Sequence, residues 1–291
     1  MRALGGFFVL RTSPGPFPVP GAPSRPAPGQ DPYPGSASAS ASAATSASHA
    51  PSAPADTPAP AHSLPTLALA YAAQPAHAHR DPLALRVRRV GAALGTAEPR
   101  VAASVAQQGL AARLWSAALG CAALCGSVPD LSPELLRWDP EGSAPDDLWL
   151  TRVSPLPADA PSLARIVLDG HLVPLNGALR ARYGPAAGLL WGNAASALAG
   201  AARELDRWAR SHGRADTAAR TRTLATELLR DPRLAATGTL TLPAAPAAMA
   251  FRRRSCCLYY RVPGGGVCGD CCFTASAQPS VRLCREIPGQ D

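Results

Sequence analysis

Lysine is absent from the chain, so its formal charge of +8 comes entirely from arginine set against 20 acidic residues. Exclusive use of arginine reflects GC-rich coding more than a special ligand. A nucleic-acid partner would call for arginines interleaved with aromatics on one element, and only residues 252–261 approach that. No nucleic-acid partner is expected. Long apolar runs are missing too. A membrane helix needs roughly 18 such residues, whereas the best stretch, 114–126, is shorter and preceded by Arg113. The opening residues 1–11 look like a stunted signal peptide, but Arg11 closes the apolar run and no small-residue cleavage site follows. Secretion and a transmembrane segment are therefore not expected, and the cytoplasm is.

Two further absences shape the organisation. Residues 12–62 are mostly Pro, Ala, Ser and Gly with hardly a large aliphatic side chain, too little apolar surface to offset the entropy of ordering them. The division expected is a disordered Pro/Ala/Ser-rich segment over 1–63, a helical domain over 64–250 and a cysteine-rich module over 251–291. No Gly-x-Gly-x-x-Gly opens a strand-to-helix unit, so no built-in nicotinamide or flavin domain is expected. Electrons for any redox chemistry must then come from a separate donor.

What is present favours helix. The Ala, Leu and Arg content of the remaining chain suits a mainly α fold with a few short strands. Apolar residues recur near the helical period over 97–125, between a Glu98-Pro99 start and a Gly126 stop. Cys121 and Cys125 share a face of that helix among Ala and Leu and read as small core hydrophobes. Residues 148–153 alternate like a short strand, and 172–182 form a short helix. A long helix over 185–211 carries the stripe Leu190, Ala194, Leu198, Ala201, Leu205 and Trp208, and a further helix covers 216–230. A second stripe on the long helix is small: Gly188, Gly192, Ser196 and Gly200. Glycine costs about 1 kcal/mol in a helix interior, so close approach of another helix is expected there, or else of a bulky ligand, with Trp191 and Asn193 as the residues to test for ligand contact. His77 and His79 sit in a Pro- and Ala-flanked loop and read as solvated.

Six of the eight cysteines fall between positions 256 and 284. Cys256, Cys257, Cys268 and Cys271 form the spacing C-C-x10-C-x2-C across a glycine-rich loop. Four thiolates fit a structural zinc, yet zinc sites usually use two C-x2-4-C knuckles. Adjacent side chains diverge in an extended strand, so Cys256 and Cys257 meet one centre only if the backbone turns. A [2Fe-2S] cluster offers two irons and relaxes that demand. A vicinal disulfide is disfavoured in a reducing compartment. Gly264, Gly265, Gly266 and Gly269 would let backbone N–H groups reach cluster sulfurs, or would simply form a turn. Four thiolates on a diferric cluster leave a formal charge of about −2 and about −3 once reduced. Arg252, Arg253, Arg254 and Arg261 would therefore favour the reduced state.

From Arg253-Arg254-Ser255-Cys256-Cys257-Leu258-Tyr259-Tyr260-Arg261 through Pro263-Gly264-Gly265-Gly266 to Cys268-Gly269-Asp270-Cys271, the chain resembles the C-terminal [2Fe-2S] signature of the FhuF-type ferric-siderophore reductases. A looser likeness runs through Ala111-Ala112-Arg113-Leu114 and residues 192–198. The resemblance implies that Cys256, Cys257, Cys268 and Cys271 ligate a [2Fe-2S] cluster. It also implies a cytoplasmic enzyme that reduces siderophore-bound ferric iron, with a ferredoxin, flavodoxin or NADPH-dependent flavoprotein as external donor. Cys272 and Cys284 depart from the pattern and are not assigned as ligands. The alternatives are a [2Fe-2S] redox or iron sensor without turnover, and a structural four-cysteine zinc site in an interaction domain.

Overall fold

The computed structural model describes residues 5–12, 63–72, 81–242 and 249–273. The Pro/Ala/Ser-rich stretch from 13 to 62, the histidines at 77 and 79, and Cys284 lie outside the described residues.

A short 3-10 turn, Gly6–Phe8, leads into β1 (Arg11–Thr12), and α1 (Leu67–Tyr71) and α2 (Pro82–Leu94) follow. Asp81 caps α2 by accepting from the N–H groups of Leu83 and Ala84, and Pro82 occupies the first turn, where a missing N–H is harmless. At the centre lies α3 (Pro99–Cys125), ending at Gly126 in the left-handed conformation. Its apolar residues are distributed around the whole helix, and Leu114, Trp115, Ala118 and Leu119 are wholly buried; a helix buried on nearly all faces has no polar side to show. Four short strands follow: β2 (Ser127–Pro129), β3 (Leu136–Trp138), β4 (Leu148–Leu150) and β5 (Pro155–Pro157). Next come α4 (Ala160–Leu163), a π-helical stretch over Ala164–Leu172, α5 (Val173–Tyr183), α6 (Ala187–Ser211), α7 (Ala215–Leu228) and α8 (Pro232–Ala235). A hairpin of β6 (Gly238–Thr241) and β7 (Ala250–Arg253) delivers the chain to the cysteines, with a 3-10 turn at Tyr259–Arg261.

The mainly helical fold with few short strands agrees with expectation, and α3, α6 and α7 fall within two residues of their sequence-derived bounds. The stripe Leu190, Ala194, Leu198 and Leu205 is fully buried, packing α6 along α3. Two features differ from expectation. Helix α2 has no counterpart among the elements expected from sequence. Residues 5–12, placed by sequence in the disordered segment, are instead part of the core assembly. Phe8 is 2% exposed, and β1 pairs parallel with β4, which also pairs antiparallel with β3. Arg113 makes this attachment specific. Its buried guanidinium donates to Asp147 at 3.0 Å, to the Phe7 carbonyl at 2.7 Å and to the Val9 carbonyl at 2.5 Å.

A second buried polar group links α1 to the π-helical stretch. His171 is fully buried, with Nε2 2.6 Å from the Leu131 carbonyl and Nδ1 2.9 Å from the Tyr71 hydroxyl. A carbonyl only accepts, so Nε2 carries the proton and Nδ1 accepts from Tyr71. Burial lowers the His171 pKa to about 4 and keeps the ring neutral.

No described helix is long and apolar enough to cross a membrane.

Candidate metal centre

The cysteines are carried by the segment that leaves β7, and that strand sets their orientation. Its residues alternate exposed and buried, so Arg252 faces solvent while Phe251 and Arg253 face the helices. After Cys257 the chain turns sharply. Leu258 takes the left-handed conformation with φ 67°, uncommon for a side chain of that shape, and Tyr259–Arg261 closes a 3-10 turn. This is the backbone turn that adjacent cysteines need if both are to face one centre. Gly264 adds a second left-handed position, and Gly265 N–H donates to the Val262 carbonyl at 2.7 Å, returning the chain towards Cys268. A side chain at Gly265 would meet the Tyr259 carbonyl at 2.6 Å. These two glycines serve the turn.

Cys257 and Cys268 bring their sulfurs to 3.7 Å. Two thiolates on one tetrahedral metal with bonds of about 2.3 Å lie roughly 3.8 Å apart, so this pair has the spacing of ligands sharing one ion. The N–H groups of Leu258 and Phe273 each lie 3.3 Å from the sulfur two residues back, Cys256 and Cys271. The two halves of the motif thus repeat one local arrangement, a backbone donor aimed at a sulfur. Such donors stabilise thiolate charge. Cys257 is held far below the ordinary thiol range, first by hydrogen bonding from Cys256 and then from Cys268, with the Arg253 charge adding to the effect. Cys256 and Cys268 are raised by sharing their protons with it. None of the seven described cysteines is in a disulfide. Among the described residues no three His, Cys, Asp or Glu side chains close on a single ion; a two-iron cluster asks only for two ligands at each iron.

Arg253 is the charge beneath these sulfurs. It is 2% exposed, and Nη2 donates to Asn193 Oδ1 at 2.5 Å, but Nε and Nη1 have no hydrogen-bond partner among the described residues. Its field reaches Cys257, Cys268 and Cys272. A buried cation with spare donors is costly unless an anion sits beside it, and a cluster of about −2 charge would be that anion. The other three arginines differ. Arg252 and Arg254 are exposed, and Arg261 pairs with Glu98 at 2.9 Å on the surface, where solvent screens it.

Helix α6 holds the module in place. Ser196 Oγ donates to Asp270 Oδ2 at 2.6 Å and Arg203 to Asp270 Oδ1 at 3.0 Å, while the Asp270 carbonyl accepts from Arg253 N–H at 3.0 Å. Asp270 lies between Cys268 and Cys271, so these contacts fix the C-x2-C knuckle. On the other side Ser104 Oγ of α3 donates to the Cys257 carbonyl at 2.8 Å, and Asn193 Nδ2 donates to the Ser104 carbonyl at 3.0 Å. Gly192 is bare because a Cβ there would come within 2.4 Å of Ser255 Oγ and 3.4 Å of Arg253 Nη2. Gly192 and Ser196 of the small stripe therefore receive the cysteine module in place of another helix, whereas Gly188 and Gly200 face open space. Asn193, expected as a possible ligand contact, is wholly buried as a link between Ser104 and Arg253. Trp191 lies under the Arg233 guanidinium, 5.8 Å from its ring centre.

Sequence reasoning missed Asp270, Ser104 and the buried position of Arg253. A carboxylate inside a cysteine knuckle was the available signal for the first. Of the remaining cysteines, Cys272 is half-buried beside Cys271, its pKa raised by burial. Cys121 is half-buried with its thiol raised to about 11 by burial, and Cys125 is exposed, so only the former joins the core.

A buried arginine under paired sulfurs, with backbone donors aimed at two more, makes a thiolate metal centre docked on a helical domain. Residues 253–273 match the family model of the FhuF 2Fe-2S C-terminal domain. The C-terminal module is therefore of the FhuF type, and its cofactor is a [2Fe-2S] cluster. The helical part of the chain lies outside that match, and no curated protein shows significant similarity to the chain.

Proposed function

We propose that the protein is a cytoplasmic ferric-siderophore reductase and that Cys256, Cys257, Cys268 and Cys271 hold its cluster. A bound [2Fe-2S] cluster supplies one electron at a time. The chain's own residues prepare for that. Arg253 offsets the anionic charge from the buried side, Leu258 and Phe273 N–H groups point at two sulfurs, and Asp270 clamps the knuckle to α6.

The observation that carries the reading is the position of Cys268. Together with Gly269 and Asp270 it borders a cavity of about 650 Å³ between α3 and α6. That volume lies in the range of small-molecule sites. A purely structural centre has no need of a cavity at its ligand. The ferric iron of a chelate held there gains one electron and becomes ferrous, and an external ferredoxin, flavodoxin or NADPH-dependent flavoprotein replaces that electron. Oxygen donors hold ferrous iron much less tightly than ferric, so the metal leaves an intact chelator.

Anaerobic absorption spectroscopy tests the reading. The visible bands should bleach with dithionite and return on addition of a ferric siderophore. Bands that bleach but stay bleached with every ferric siderophore would favour a sensor and sink the reductase.

A further inference from the structure

The cavity beside Cys268 has a wall that belongs to neither the helices nor the module. Gly5, Gly6, Phe7 and Phe8 border it together with the knuckle. The two phenylalanines differ: Phe8 is buried in the core, whereas Phe7 is 47% exposed and borders both this cavity and a smaller one beside Arg86 and Trp138. An aromatic side chain bordering a polar-rimmed cavity offers apolar area to the hydrocarbon of a ligand held there. The strap is also firmly held. Arg113, part of the Ala111–Leu114 stretch with no role at the cluster, spends its guanidinium on the carbonyls of Phe7 and Val9 and on Asp147. Around the cavity, Gln108, Ser116 and Arg203 add polar groups, and Ala112 and Ala197 add apolar surface. That mixture suits the outer shell of an oxygen-donor ferric chelate, in which polar ligating groups alternate with hydrocarbon.

We propose that residues 5–8 form the outer wall of the chelate site, that Phe7 is a specificity-determining contact for the chelate's organic shell, and that Arg113 is the positioning residue that holds the wall. This rests on the reductase reading above. It goes beyond that reading by giving the amino-terminal segment a part in substrate selection.

The test uses oxidised holoprotein and a gallium(III) trihydroxamate, a redox-inert stand-in for the ferric chelate, with affinity measured by calorimetry. Phe7→Ala should weaken binding about fivefold to tenfold, and removal of residues 2–12 should weaken it further. Arg113→Lys, which keeps a charge for Asp147 but loses the fork to two carbonyls, should raise KM for ferric chelates and speed tryptic cleavage at Arg11. The cluster's visible spectrum and its rate of reduction by dithionite should not change in Phe7→Ala. A wild-type protein that reduces ferric chelates, with a gallium affinity that neither Phe7→Ala nor the truncation alters, overturns the strap proposal and leaves the reductase standing. A reduced cluster that no ferric chelate reoxidises overturns the reductase reading, and the strap proposal with it.

Discussion

Replacing Gly192 with alanine tests how closely the cysteine module rests on α6. In an ordinary helix interior this change stabilises by about 1 kcal/mol. Here the added Cβ would lie 2.4 Å from Ser255 Oγ and 3.4 Å from Arg253 Nη2. Comfortable contact is roughly 3.5–4.0 Å, so Ser255 must retreat by about 1 Å and give up its 3.1 Å bond to the Gly188 carbonyl. That loss is worth about 1 kcal/mol, and turning Oγ out of its packed rotamer costs about 0.5–1.5 kcal/mol more, while Arg253 Nη2 stays in ordinary contact. Set against the gain in helix propensity, the net change is a destabilisation of about 0.5–1.5 kcal/mol. The control is Gly200→Ala on the same helix, where nothing lies within 4 Å and a stabilisation of about 1 kcal/mol is expected. Denaturant unfolding of the two variants, followed both by helix signal and by the visible bands, gives the comparison. Removing Oγ with Ser255→Ala in the Gly192→Ala background should recover most of the loss, because the closest clash is gone. If Gly192→Ala stabilises the protein as much as Gly200→Ala does, the module does not sit where α6 was argued to receive it.

Three other expectations follow from the site and the core. Arg253→Met removes a buried positive charge beside the sulfurs, so the midpoint potential should fall. A loss of about 2 kcal/mol, reasonable for charges several ångströms apart at an effective dielectric near 20, corresponds to about 80 mV for one electron. Redox titration monitored by electron paramagnetic resonance measures it, and an unchanged potential would remove Arg253 from the account. Serine at Cys256, Cys257, Cys268 or Cys271 should abolish or strongly alter the cluster bands, whereas Cys272→Ser should keep them; a normal spectrum in Cys268→Ser with loss in Cys272→Ser would move the knuckle. His171 predicts a pH effect on stability. Its folded pKa of about 4 lies below the unfolded value of about 6.5, so the unfolded chain binds more protons in that window. Stability is fully present above about pH 6.5 and falls as pH drops towards 4, by about 3 kcal/mol in all. His171→Gln should flatten that slope in unfolding experiments on the protein, and an unaltered slope would refute the assignment.

The long helices were legible because their signals are local. Pro99 and Gly126 bracket α3, and Gly213 follows the end of α6, where period and punctuation agree. The amino-terminal strap was not legible, since what orders Phe8 is Arg113 and the pairing of β1 with β4, partners more than a hundred residues away. The cysteine spacing left zinc and a cluster both open, and the flanking Arg253-Arg254-Ser255, Tyr259-Tyr260-Arg261 and Pro263–Gly266 residues, through their resemblance to the FhuF-type signature, pointed to the cluster. Which arginine serves it did not emerge from sequence, because Arg252, Arg253 and Arg254 differ only in the alternation of β7. Gly192 was recognised as needing a neighbour, but the neighbour is Ser255, contributed by a segment folded back from the far end of the chain. Gly264 and Gly265 shape a turn, while the N–H groups directed at cysteine sulfurs are those of Leu258 and Phe273.

Single-turnover counting tests the central claim most directly. Anaerobic protein is reduced with dithionite, freed of excess reductant and mixed with a ferric siderophore in the presence of a chromogenic ferrous chelator. The account predicts one ferrous ion for each cluster reoxidised, with none from the Cys268→Ser variant. Ferrous iron released at the same yield by that variant, or a reduced cluster that releases none, would contradict it.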